Sequence, residues 1–423
     1  MKSINLLLMI FLALFLQESL KAQSVSLQEC WLKTREHYPV SDESIKLIED
    51  ATQQRLANIK SSWFPQLEIG AQATWQNDVT HISGAPMAGG IPMAPKDQYK
   101  FGLEVSQILY DGSLGHARKK VEQALGKVEV QNVEVQLREI NYLVSEVYFT
   151  LLLLDEQKKQ VEFLLNDLNS RIQEVSVAVT SGVVLLTEQQ LLEVEKLKVE
   201  KQLIALEQNY QALLENLSLF TGLTINDQTQ LAFPDESTLQ EPVVRPEYDL
   251  YSYELERIEA NQKLNRVGLR PVVAAFSQMG YGNPGFNMLQ DKFDTYFLVG
   301  VRLKWKPWDW KTANRNQKIL AHQYALTEMR REAFELQQKR TTLQLDAELL
   351  QYRKELEKDV QIAQLQASIV QNYRSRLTTG TITAAEYIVA VNNESRARLA
   401  MQITKLNYLQ SLAKKYLTSG NET

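Results

Sequence analysis

Four histidines (His37, His81, His116 and His322) and a single cysteine, Cys30, are the side chains with most to offer a metal ion or a nucleophilic reaction, and none is spaced for either. There is no HExxH pair, no spaced carboxylate–histidine cluster, no glycine-rich phosphate loop and no GxSxG elbow. One cysteine excludes an internal disulfide framework and a cysteine-based zinc site. His81, Met87 and Met93 share one loop, and soft ligands of that kind suit Cu(I). Incidental methionines are the plainer reading, because nothing fixes their geometry. The expectation is therefore no metal, no cofactor and no enzymatic reaction. Two acids stand out by position instead. Glu188 and Glu386 follow Gly182 and Gly380 at the same distance. Gly380 can end one helix in the left-handed conformation, Thr383 can cap the next, and Glu386 can close a capping box. In the earlier turn Leu185 stands where the cap should be. Such acids offer charge: they complement the positive end of a helix dipole, or they line an opening.

The elements that carry these turns must be long. The chain has 423 residues with only 17 Gly and 11 Pro, and scarce breakers mean uninterrupted elements, chiefly helices. A hydrophobic content of 44% excludes disorder. With 46 Lys+Arg against 51 Asp+Glu, a net charge of −5 and no basic block, a nucleic-acid partner is not expected. Lys2, the apolar run 6–16 and the sequence Leu20-Lys21-Ala22 have the form of a secretory signal peptide, residues 1–22. The run is short for a membrane span of about 20 residues. Cys30 lies well past it, behind a Gln-Glu pair, so a half-buried helix cysteine is expected there rather than an acylated one. No later segment reaches 18 consecutive apolar residues. An exported chain of this kind is either soluble or enters a membrane as strands.

The chain repeats itself. Phe101-Gly102-Leu103-Glu104-Val105 reappears as Val299-Gly300-Val301-Arg302-Leu303, Tyr110-Asp111 as Trp308-Asp309, and Gly182 and Glu188 as Gly380 and Glu386. All of these pairs share one offset, 198, the difference between 182 and 380. Upstream, Pro65 pairs with Pro271 and Pro39 with Pro246 at longer offsets, which places an insertion of roughly eight residues among the Gly and Pro of 83–92. The expected organisation is a first repeat, 23–222, a connector, 223–243, and a second repeat, 244–423. The first holds a helix over about 26–61, a β-hairpin 63–110, a long helix 113–179 and a helix 184–221. The second holds a helix, a β-hairpin 271–307, a long helix 312–378 and a helix 383–418. From Val130 through Val133, Leu137, Ile140, Val144, Val147 and Leu151 to Val179, apolar residues alternate at three and four, a coiled-coil seam broken only at Lys158. A helix of that length, about 100 Å, has no place in a globular enzyme.

The strands alternate at period two. Leu67, Ile69, Ala71, Ala73 and Trp75 share one face, against Gln66, Glu68, Gly70, Gln72 and Thr74. Tyr99, Phe101, Leu103, Val105 and Leu109 oppose Lys100, Gly102, Glu104 and Ser106, and Phe297, Val299, Val301, Leu303 and Trp305 oppose Gly300, Arg302, Lys304 and Lys306. The strand after Pro271 is less regular. Two readings fit: a sheet on a soluble core with one wet face, or a transmembrane barrel wall with its apolar face to lipid and aromatics at the rims. Four strands cannot close around a polar interior, but twelve from three chains can.

Leader, duplication, two hairpins and paired long and short helices together resemble the TolC-type outer-membrane efflux proteins over almost the whole chain. The sharpest match is the pair of helical turns, Gly182 to Glu188 and Gly380 to Glu386, with glycine, hydroxyl residue and acid at spacings of three in the second. The resemblance implies an α+β membrane protein: a trimeric twelve-stranded barrel in the outer membrane of a Gram-negative bacterium, continued by an α-helical periplasmic barrel. It implies a homotrimer in outer-membrane lipid, with a periplasmic adaptor protein and an inner-membrane transporter as partners. The helical turns then form the tip. Glu386 matches a constriction acid, with Leu377, Ile382 and Val389 beside it as the other pore candidates. The family's tyrosine and arginine stand here as Leu377 and Ile382, and its second acid as Val389, so that lock is absent. Glu188 matches an acid that can lock neighbouring helices, while both acids also suit plain helix N-termini. Two functions follow: a passive exit duct, or a secreted coiled-coil scaffold or adaptor without a barrel. Lipid-length strands with aromatic ends separate them. The exported substrate is not written in the sequence.

Overall fold

The computed structural model describes residues 24–79, 94–226, 229–239, 245–288, 290–378 and 381–418. The expected leader, the loop with His81, Met87 and Met93, and Gly380 lie outside the described residues. Elements follow in the order β1 (Ser24–Val25), α1 (Leu27–His37), α2 (Asp42–Ser61), β2 (Gln66–Trp75), β3 (Asp97–Tyr110), α3 (Leu114–Thr180) and α4 (Leu186–Thr221). Then come β4 (Gln230–Leu231), a 3₁₀ turn (Glu236–Leu239), α5 (Pro246–Val267), β5 (Val272–Asn283), β6 (Asp294–Lys304), α6 (Thr312–Thr378) and α7 (Ala384–Thr418). No described helix is long and apolar enough to cross a membrane.

The helix expected over 26–61 is broken. Tyr38 takes an extended conformation, φ −64° and ψ 144°, ahead of Pro39. Proline disfavours the α region for the residue before it and removes a backbone donor, so α1 ends and α2 begins anew. The connector is less irregular than its composition suggests, since β4 pairs in parallel with β1.

The chain divides into two compact units. One comprises 46–132 and 247–332 and contains the sheet. Its four strands lie in the order β2-β3-β5-β6, all antiparallel, with β2 and β6 at the edges. A bulge at Leu109 brings Tyr110 opposite Val273, which pairs in turn with Leu303. The extra residue carries Tyr110 onto the apolar face at the strand end. Below the sheet α3 and α6 start from matching caps: Asp111 Oδ2 accepts from Gly115 N at 2.5 Å, and Asp309 Oδ2 accepts from Ala313 N at 2.7 Å. Arg55 of α2 ties to Glu129 of α3 at 2.6 Å, and Lys127 of α3 to Glu256 of α5 at 2.8 Å. Such partly exposed pairs contribute about 0–1 kcal/mol each, so they align helices more than they stabilise them.

The other unit, residues to 45, 133–246 and 333–423, is helical. None of the seam residues of α3 is exposed, and Val144, Leu151 and Leu168 are almost fully buried. Around the first two gathers a core of Leu27, Cys30, Trp31, Tyr148, Leu214, Leu217, Leu409 and Ala413. Burying each large side chain stabilises by about 1.5–3 kcal/mol. Two aromatic polar groups in this core are bonded: Tyr148 Oη lies 2.9 Å from Val25 O and 2.5 Å from Ala232 O, and Trp31 Nε1 donates to Ser145 Oγ at 3.0 Å. Cys30 is buried, not half-buried, and burial pushes its thiol up to about 12, which leaves it inert.

Candidate functional site

At the end of α3, Gly182 has φ +73°, and a Cβ there would meet nothing within 4 Å. The constraint is therefore backbone conformation, which glycine meets without strain. Gly182 N donates to Val179 O at 3.0 Å and Val183 N to Ala178 O at 2.9 Å, the two bonds of a Schellman stop. In the second turn Thr381 N donates to Arg376 O at 2.9 Å, the equivalent of the outer of those bonds 198 residues on, 381 against 183.

The starts of the following helices differ. Leu185, at the N-cap of α4, makes no side-chain cap bond. Thr383 does: Glu386 N donates to Thr383 Oγ1 at 3.2 Å, and Glu386 Oε2 accepts from Thr383 N at 2.9 Å and from its hydroxyl at 3.0 Å. This is a complete capping box. The backbone N–H of Thr383, then its hydroxyl, and more weakly Arg376 hold the exposed Glu386 carboxyl below the usual range. Glu188 serves the other helix. Its Oε2 accepts from Ala384 N, the first residue of α7, at 2.8 Å. Two turns on, Asn392 Nδ2 donates to Glu195 Oε1 at 3.1 Å. The acid of the first turn thus caps the helix of the second and ties α4 to α7.

Under the turns lies a second core, with Val161, Leu164, Leu168 and Val175 of α3, Leu192 and Val199 of α4, Leu377 of α6, and Tyr387 and Val391 of α7. Leu377, expected at a constriction, is 7% exposed and belongs to this core, so it packs the helices together rather than lining an opening. Ile382 packs partly against the same cluster, whereas Val389 is exposed. Tyr387 was not singled out from the sequence and is the centre of the site. It is fully buried, and its hydroxyl donates to Asp167 Oδ2 at 2.7 Å. Asp167 Oδ1 lies 4.0 Å from Arg171 Nε and from Arg374 Nη2. Burial first, and then the Asp167 carboxylate, pushes the phenol above its ordinary value. A sequence signal existed: Ile382 and Tyr387 occupy the two positions of a hydrophobic staple around the Thr383 cap.

The sheet presents two unlike faces. Leu67, Ile69, Trp75, Phe101, Val299, Val301, Leu303 and Trp305 are each between 58% and 70% exposed. Leu103 and Val105 share that face and are half-buried. The opposite face carries Glu68, Gln72, Lys100, Glu104, Gln278 and Arg302.

A four-stranded sheet with an uncovered apolar face and two 67-residue helices make up a fold that solved outer membrane channels share. The chain is similar to the outer membrane protein VceC of Vibrio cholerae: 13% identity over 93% of this chain and 96% of that one, TM-score 0.69. A membrane protein of Pseudomonas aeruginosa matches with 13% identity over 95% and 92% and a TM-score of 0.73. The CmeC outer membrane channel of Campylobacter jejuni matches with 14% identity over 94% and 86% and a TM-score of 0.67. At this identity the likeness is one of fold. No protein-family model and no curated protein sequence matches the chain.

Proposed function

We propose that this chain is the exit duct of a tripartite efflux or type I secretion system: a passive homotrimer in the outer membrane of a Gram-negative bacterium, with a helical tunnel in the periplasm. The observation that carries the reading is the apolar sheet face, whose large side chains stand 58–70% exposed. Surface of this kind aggregates in water and is satisfied by lipid. The strands have 10, 14, 12 and 11 residues, long enough to span a hydrocarbon core when tilted. A scaffold without a barrel has no use for them. Three copies, joining β6 of one to β2 of the next, close twelve strands around a polar lumen. The fold shared with outer membrane channels supports the same conclusion.

The two halves, 23–222 and 244–423, are copies of one unit joined by 223–243, and residues 1–22 direct export. A periplasmic adaptor and an inner-membrane transporter engage the end marked by Gly182 and Gly380 and supply the energy. Three Glu386 carboxylates with three Val389 side chains narrow that entrance and attract cations, while Glu188, Thr383 and Tyr387 keep its helices in place. Extraction from outer-membrane fractions tests the reading. The expected product is a detergent-requiring, heat-modifiable trimer that conducts ions in planar bilayers. A monomer soluble without detergent would overturn it.

A further inference from the structure

The polar face of the sheet contains a built recess. Gly70, Gly102, Gly280 and Tyr296 stand side by side on β2, β3, β5 and β6. The Tyr296 ring lies down across this row. A Cβ on Gly280 would come 2.4 Å from Tyr296 Cζ, and one on Gly102 would come 2.8 Å from its hydroxyl. Phe286 braces the ring edge-on at 5.2 Å. At Gly70 a Cβ would meet nothing within 4 Å, so the hydroxyl end of the ring opens on a notch. A cavity of about 310 Å³ sits here, lined by Glu68, Gln72, Lys100, Glu104, Gln278 and Tyr296.

The charges in that lining are placed at a cost. Glu68 and Glu104 are directly opposed cross-strand partners, and like charges so placed are destabilising. Gln278 Nε2 donates to Glu104 Oε2 at 2.8 Å and fixes it. Lys100, opposite Gln72 in the row beyond the glycines, returns one positive charge, so the recess carries a net negative charge. An aromatic face presented flat beside two carboxylates attracts a cation that also has apolar surface.

The geometry points to a binding site for amphiphilic organic cations on the lumen wall of the barrel, with the Tyr296 ring as the stacking face and Glu68 and Glu104 as the counter-charge. This rests on the channel reading above and names a substrate class for it. A trimer holds three such recesses at one level, so that a cation leaving the tunnel meets a ring of weak sites before exit.

Block of single-channel current by tetraphenylphosphonium in planar bilayers tests the inference. The wild-type trimer should be blocked, and Tyr296→Leu, which keeps a cover over the glycines but removes the π face, should raise the half-blocking concentration about fivefold. Tyr296→Phe should keep the block. Glu68→Gln with Glu104→Gln should weaken it and reduce its dependence on salt. Every variant should still insert as a conducting trimer, which separates loss of block from loss of folding. Conducting trimers whose block ignores Tyr296→Leu and the paired Gln substitutions would overturn the site and leave the channel reading intact. A block that responds only to Glu386→Gln would place the cation at the tip and would also overturn it. Absence of any conductance in the wild type would remove the channel reading and the site with it.

Discussion

Tyr387→Phe removes one oxygen from a side chain with no exposed surface and leaves Asp167 Oδ2 without the hydroxyl that donates to it at 2.7 Å. The other Asp167 oxygen keeps Arg171 and Arg374 at 4.0 Å, and the Asp167 side chain is 16% exposed, so water replaces part of the loss. A hydrogen bond to a charged acceptor contributes about 1.5–3 kcal/mol. The water access places this one near 1.5–2 kcal/mol, which corresponds to roughly a 10- to 30-fold rise in local opening. Amide hydrogen exchange on the purified protein reads it directly. Exchange over 384–394 should accelerate by that factor, while 405–417, in the other core of the same helix, should change little. The sign with pH follows from the raised phenol. Its contribution is complete below the ordinary tyrosine value of 10 and is lost as pH rises above it. The 384–394 segment of the wild type should therefore loosen at alkaline pH, and that of Tyr387→Phe should respond less. An acceleration under about threefold, or one spread equally over both segments, would refute the assignment of Tyr387 and Asp167 as the local tie.

Glu188→Ala should leave Ala384 N uncapped and fray the start of α7 by about 1 kcal/mol, seen as faster exchange at the beginning of α7 although the substitution is in α4. For Glu386 the lowered carboxyl pKa means that the capping box is complete above the ordinary 4.5 and is lost as pH falls through the folded value. The first turn of α7 should then loosen in acid, and Glu386→Gln should lose that pH dependence. The same substitution should lower cation selectivity and block by multivalent cations in planar bilayers with trimer yield unchanged. Unchanged selectivity would make Glu386 a capping acid only. Ile69→Arg on the apolar sheet face should cost about 2–4 kcal/mol near the bilayer midplane and reduce heat-modifiable trimer, whereas Gln72→Arg on the opposite face should not.

Much of this was legible in the residues themselves. The period-two alternation of 66–75 and the three-four seam of α3 are local consequences of strand and helix geometry, so their faces could be assigned one residue at a time. Gly182, Thr383 and Glu386 were legible for the same reason, since Schellman stops and capping boxes span only a few residues. Pro39 carries its own signal for a break, yet the helix expected over about 26–61 ran across it.

What only the tertiary structure decided is which distant residues meet. Leu377 was placed beside an opening by the family resemblance, but its direction depends on how α6 packs against α3 and α7, and it points into the core. The Glu188 bond to Ala384 and the Tyr387 bond to Asp167 join residues about two hundred apart in sequence. No local pattern encodes them, because the partners stand on different helices and meet only when those helices pack. The recess over Gly70, Gly102 and Gly280 is of the same kind. Each glycine alone reads as a weak point in a strand, and only the register between strands turns them into a floor for Tyr296. The sequence by itself determined the elements and their faces, since these follow from backbone geometry within a few residues. The fold decided the contacts, because side-chain direction and strand register are set by the packing of the whole chain.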